Sequence, residues 1–159
     1  MFYGFKQIKE HNTFHARIFL TILYLEKWFK LHRLYICEFS MKIIRKFVIQ
    51  GIYNSEVHPD SFSSLQAISS CRLPHPYLII IHRSASIQTD TVIFHNVTIG
   101  VIENNTLITA AQLGEKVYIG TGATILGHLT IGNNAKIGAN ALIIKKNIPP
   151  AATIVGLYK

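Results

Sequence analysis

The chain has 159 residues, 49% hydrophobic and 15% charged, which suits one compact unit or a repeat domain with a helical cap and excludes a wholly disordered chain or two large independent cores. Its formal net charge of +8 is unevenly held: residues 1–50 carry nine Lys/Arg against three Glu, and residues 51–159 carry seven against five acids. With no zinc-ligand spacing and no RNA-binding aromatic motif beside that charge, no nucleic-acid partner is expected.

The start, Met1-Phe2-Tyr3-Gly4, lacks the pattern of a secretory signal. Cys37 and Cys71 show neither CxxC spacing nor a disulfide-dense pattern, so reduced thiols and a cytoplasmic location are expected. From about His15 to Gln50, apolar residues recur three and four apart (Phe19, Ile22, Leu23, Trp28, Leu31, Ile43, Phe47), interleaved with Lys and Arg. That spacing predicts two or three helices whose aromatic stripe serves a core or a subunit interface. The apolar run Ile18–Leu25 is far shorter than the ~20 residues that span a bilayer, although a surface-lying helix leaves peripheral membrane contact open. At Gly51 the composition changes, and the Ser-rich stretch from Tyr53 to Leu73, with Pro59, reads as loop. The expected division is a helical region over 1–52 and a second domain over 53–159.

Beyond the boundary a fixed period appears. Ile81, Ile87, Ile93 and Ile99 are six apart; after a two-residue slip, Leu107, Leu113, Ile119, Ile125, Ile131, Ile137 and Ile143 are again six apart. Small or β-branched residues stand two before most of them, and Gly100, Gly114, Gly120, Gly132 and Gly138 follow directly. Residues two apart on a strand share a face, so each hexad is one short strand with its aliphatic and small residue inward, and one turn. Three hexads close a triangular coil, and eighteen residues carry the chain up by one strand spacing, roughly 4.8 Å. The architecture expected is α+β: an N-terminal helical cap, then a parallel β-helix.

The aliphatic–Gly–x–x–small–x spacing is similar to that of the hexapeptide-repeat acyltransferases. The similarity covers about residues 15–156 and is strongest toward the serine acetyltransferase-like branch and its capsular-polysaccharide relatives. It implies a left-handed β-helix, acetyl-CoA as co-substrate, no metal, and an O-acetyltransferase acting on serine or a sugar hydroxyl. It also implies a homotrimer, with a hexamer through the helical region as the further option.

Acetyl transfer to a hydroxyl needs a base of near-neutral pKa, donors for the oxyanion and a groove for the cofactor. Leu73-Pro74-His75-Pro76-Tyr77-Leu78-Ile79-Ile80-Ile81 resembles the family's catalytic stretch, which makes His75 the general base; Tyr77 stands where glycine is common. A turn role for His75 between its two prolines is the alternative. Glu56-Val57-His58-Pro59 takes the place of the family's D-[IV]-H-P, so Glu56 is expected to orient His75, with His58 structural. Phe94-His95-Asn96-Val97-Thr98-Ile99-Gly100 resembles the segment beside the acyl group and ranks His95 second. His11, His15, His32, His82 and His128 are expected in solvated or interface roles. By the same resemblance, cofactor contacts fall on Thr121, Ala139, Ile144 and Lys145, with Ile144 in place of threonine. The family's G-G-T-G-K loop is replaced by Gly100-Val101-Ile102-Glu103-Asn104-Asn105-Thr106. A non-catalytic scaffold and a γ-type carbonic anhydrase are the competing readings of the repeat.

Overall fold

The computed structural model describes residues 2–102 and 109–159. Its second half is a prism of three parallel sheets. Face A stacks β1 (Glu56–Val57), β2 (Ile80–Ile81), β5 (Thr98–Gly100), β8 (Thr124–Leu126), β11 (Leu142–Ile144) and β13 (Leu157–Tyr158). Face B stacks β3 (Ser86–Ile87), β6 (Gln112–Leu113) and β9 (Thr130–Ile131), and face C stacks β4 (Val92–Ile93), β7 (Tyr118–Ile119), β10 (Lys136–Ile137) and β12 (Thr153–Ile154). Single bridges extend them: Phe62 to Ile87, Arg72 to Val92 and Ile148 to Ile131. Register follows the hexad, with Ile81 opposite Ile99, Ile99 opposite Ile125 and Ile125 opposite Ile143. These four isoleucines are at most 2% exposed, so each coil buries its aliphatic layer against the next.

The hexad period is interrupted once, and one expectation needs correction. Neighbouring faces are usually six positions apart, yet fourteen separate Ile99 on face A from Leu113 on face B. The step holds eight residues beyond the usual six, and the hexad expected at Leu107 lies outside the described residues. The stretch read as loop, 53–73, instead contains the first coil, through Val57, Phe62 and Arg72, and a helix, α4 (Leu65–Ser70). Ser64 caps that helix by accepting from the Ala67 N–H at 3.0 Å, and one face of it buries Ala67 and Ile68; two turns are too short to reveal a period. The helical region over 1–52 consists of α1 (Phe2–His11), α2 (Phe14–Leu31) and α3 (Tyr35–Arg45), which runs on through a π turn at Lys46–Gln50.

The helices close the lower end of the prism. Ile8, Phe19, Leu20, Leu23 and Ile68 join the coil aliphatics in one continuous hydrophobic core. Three cap side chains bind backbone groups of the first coil, one on each face. Arg45 Nη1 donates to the Val57 carbonyl at 3.4 Å, Lys27 Nζ donates to the Phe62 and Pro59 carbonyls, and Asn12 spans Cys71 and Leu73. Glu26, 1% exposed, holds Arg45 Nε at 2.8 Å and so pins α3 to α2. On the far side of α3, Tyr35, Ile36, Phe39, Ile43 and Phe47 stay exposed, Ile36 to 85%.

Candidate active site

All seven residues singled out for catalysis or cofactor binding lie on face A or at its two edges. The edge between faces C and A carries a recurring turn. Its left-handed position is Leu78, Asn96, Gly122, Asn140 or Gly156 in successive coils, and the residue before it is Tyr77, His95, Thr121, Ala139 or Val155. Backbone bonds bind the column together: Asn96 N–H to the Tyr77 carbonyl, Gly122 N–H to the His95 carbonyl and Asn140 N–H to the Thr121 carbonyl, at 2.8–3.2 Å. Asparagine and glycine tolerate positive φ; a Cβ on Gly122 would in addition meet Asn140 Oδ1 at 2.2 Å.

His75 projects from this edge because its turn is longer. Four positions separate Val92 from Asn96, whereas six separate Arg72, its partner across the bridge, from Leu78. The two additional residues let His75 project, and the Tyr77 N–H bonds back to the His75 carbonyl at 2.9 Å across Pro76. The imidazole ends edge-on to His95, with ring centroids 5.6 Å apart and planes at 79°. His75 is exposed, while His95 is half-buried and its Nδ1 has no hydrogen-bond partner among the described residues. The structure therefore brings His75, His95, Thr121 and Ala139 onto one edge. Ile144 and Lys145 sit at the other edge of face A, where Lys145 N–H bonds to the Leu126 carbonyl at 3.1 Å.

Glu56 is not brought to His75. It faces outward at the foot of face A, paired in register with Ile80, the first residue of β2 and five residues after His75. It lines a cavity of about 440 Å³ with Arg45, His58, His82 and Arg83, and makes no hydrogen bond to His75. His75 lines a different cavity, of about 250 Å³, at the seam with the cap.

What holds the His75 turn comes from residues the sequence did not single out. Asn12, 8% exposed between α1 and α2, donates to the Cys71 carbonyl at 2.9 Å and accepts from the Leu73 N–H at 3.0 Å, which fixes the chain two residues before His75. Tyr53 accepts the Leu78 N–H through its carbonyl at 3.1 Å, and its ring lies 5.3 Å from that of Tyr77. His15, expected in a solvated or interface role, completes this aromatic group against Tyr53 and Tyr77, 6.0 Å from each. None of these contacts has a periodic signal, since each joins the cap to a single turn.

The neighbouring titratable groups are structural. Burial pushes the Cys71 thiol up to about 12, which keeps it protonated. Burial, with Arg45, Arg83 and Lys30 nearby, lowers His58 to about 4 against the opposing pull of Asp60; its Nδ1 accepts the Asp60 N–H at 3.1 Å and caps the short helix at Pro59–Ser61.

Comparison with known proteins agrees with this architecture. The family model described as bacterial transferase hexapeptide (six repeats) matches residues 110–145. The chain is 36% identical over 110 residues to a serine acetyltransferase of Buchnera aphidicola subsp. Schizaphis graminum, covering 69% of this chain and 40% of that protein. It is 30% identical over 124 residues to a serine acetyltransferase of Helicobacter pylori strain 26695, covering 78% of this chain and 67% of that protein. The solved serine acetyltransferase of Brucella abortus in complex with coenzyme A superposes with a TM-score of 0.71 at 21% identity, over 89% of this chain and 52% of that one. This chain spans about two-fifths of the length of the first curated relatives it matches. The fold is thus a helical cap followed by a left-handed parallel β-helix, and the chain belongs to the serine acetyltransferase family of hexapeptide-repeat acyltransferases.

Proposed function

We propose that the protein is an acetyl-CoA-dependent O-acetyltransferase in which His75 is the general base. The observation that carries this reading is the exposed His75 imidazole standing edge-on to His95, on the edge where Thr121 and Ala139 continue the column. His75 takes the proton of an acceptor hydroxyl, and the oxygen attacks the thioester carbonyl carbon. As the tetrahedral intermediate collapses, the carbon–sulfur bond breaks and coenzyme A leaves as the thiol, its proton returned from the imidazolium. Turn N–H groups are the candidate donors to the oxyanion.

Acetyl-CoA suits the chemistry of face A. Thr98 and Thr124 stand one above the other on its outer side, and Lys145 and Lys146 supply positive charge at its far edge for phosphate groups. The named relatives make serine the first acceptor to test, and sugar hydroxyls the second. Homotrimers with the cofactor between prisms are the assembly we favour. The exposed apolar stripe of α3 supports further association through the helical region, and the free Cys37 and Cys71 are consistent with cytoplasmic conditions.

The test is thiol release from acetyl-CoA in the presence of serine or sugars. His75→Ala should lower kcat by about 10²–10⁴, the usual worth of a general base, with an unchanged circular-dichroism spectrum because the side chain is exposed. Wild-type protein that releases no thiol with any hydroxyl acceptor would overturn the reading.

A further inference from the structure

The polar side of α3 faces the end of α2 and the first coil across a further cavity, of about 560 Å³. It shares Arg45, His58 and Arg83 with the cavity that Glu56 lines, and no residue with the one at His75. Its volume admits a small phosphorylated molecule. Five cations line it: Lys30 at the end of α2, Lys42 and Arg45 on α3, Lys46 in the π turn, and Arg83 in the turn after β2.

Three carboxylates face these cations, and each is already engaged. Glu26 holds Arg45 at 2.8 Å, Glu38 holds Lys42 at 2.7 Å and Asp60 holds Lys30 at 2.8 Å. Arg83, its side chain 68% exposed, reaches Asp60 Oδ2 only at 3.5 Å, and Lys46 forms no ion pair among the described residues. His58, lowered to about 4 by burial, adds no charge at neutral pH; its Nδ1 accepts the Asp60 N–H, so the ring proton is on Nε2 and His58 supplies a neutral donor. The lining therefore carries an excess of two positive charges. Like charges that converge from cap and prism repel each other across the seam, and an anion between them relieves that repulsion. A phosphate monoester carries close to two negative charges and accepts from several donors at once, which matches both the excess and the spread of donors.

We propose that this cavity is a second ligand site, separate from the His75 edge, for the phosphate group of a small soluble ester or of a lipid headgroup, with Arg83 on the prism and Lys46 on the cap as its principal contacts. The site is independent of acetyl transfer. Its occupant ties α3 to the first coil, so binding and stability of the two parts rise together.

The test is isothermal titration calorimetry of the full chain with inorganic phosphate and with glycerol phosphate, at about pH 8, where both are dianions, and at constant ionic strength. Each should bind saturably, one per chain, and raise Tm, while chloride does neither. Lys46→Gln and Arg83→Gln should each weaken binding about tenfold to a hundredfold, as expected for one charge-assisted contact. Both side chains are exposed, so the circular-dichroism spectrum should not change. The double variant Lys145→Gln, Lys146→Gln, at the edge suited to cofactor phosphates, should bind as wild type does. Vesicles of phosphatidylcholine with phosphatidic acid distinguish the source. Sedimentation of wild-type protein with them, lost in Lys46→Gln and Arg83→Gln, assigns the phosphate to a lipid headgroup; binding of the soluble phosphates without sedimentation assigns it to a soluble ester. Phosphate or vesicle binding that is indifferent to Lys46→Gln and Arg83→Gln, or no saturable binding of either kind, overturns the proposal.

Discussion

Replacing Asn12 with alanine removes both hydrogen bonds by which the helical cap holds the strand entering the His75 turn. Two net hydrogen bonds contribute about 2 kcal/mol together, and the stranded Leu73 N–H and Cys71 carbonyl, both on buried residues, add a desolvation cost, giving a loss of about 2–4 kcal/mol. At roughly 2–4 °C per kcal/mol for a chain of this size, Tm should fall by about 5–15 °C. The assay is thermal unfolding followed by far-ultraviolet circular dichroism at one fixed protein concentration, because assembly would couple to Tm. Asn147→Ala is the control. Asn147 also accepts a backbone N–H through its amide oxygen, from Thr130 at 2.8 Å, but it is exposed, so its loss should cost under about 1 kcal/mol. Equal Tm for Asn12→Ala and wild type, or an equal drop for the two variants, would refute the argument that burial gives the clamp its strength.

Leu78 is the one non-Asn, non-Gly residue in the left-handed column, at φ 57° and half exposed, so Leu78→Asn should stabilise the protein by about 1 kcal/mol; a lower denaturation midpoint would contradict this. His58 titrates at about 4 when folded and near 6.5 when unfolded. Between those values only the unfolded chain takes up the proton, so stability falls as pH drops from about 6.5 to about 4 and this contribution is level below that. In His58→Gln, the pH dependence of urea unfolding should be shallower in that window than in wild type; an identical slope would rule out His58 as its source.

The coil stack was legible because its cause is local and repeated: one aliphatic, one small residue and one turn per hexad, from Ile81 to Ile143. After Ile99 the period is broken by eight additional residues before Leu113, and the hexad read at Leu107 falls outside the described residues. In the first coil only Glu56–Pro59 was placed, by resemblance, because Val57, Phe62 and Arg72 are separated by capped helical turns that interrupt the period. At the site, His75 and His95 were recognised by resemblance and stand together. Glu56 was placed by the same resemblance, but register sets it opposite Ile80 and away from the His75 turn. Asn12 and Tyr53 were illegible, since a clamp between the cap and one turn is a tertiary fact with no pattern of its own.

A solenoid has no intrinsic reason to stop: the lowest strand of every face presents carbonyl and N–H groups to whatever lies beneath. Here the free groups at Val57, Phe62 and the Cys71–Leu73 pair are taken by Arg45, Lys27 and Asn12. Because these three side chains come from three different segments of the cap, the terminus is sealed only when the helices are folded together. The helical region therefore makes the stack finite at this end, and prevents the first coil from becoming a template on which another chain could continue the prism.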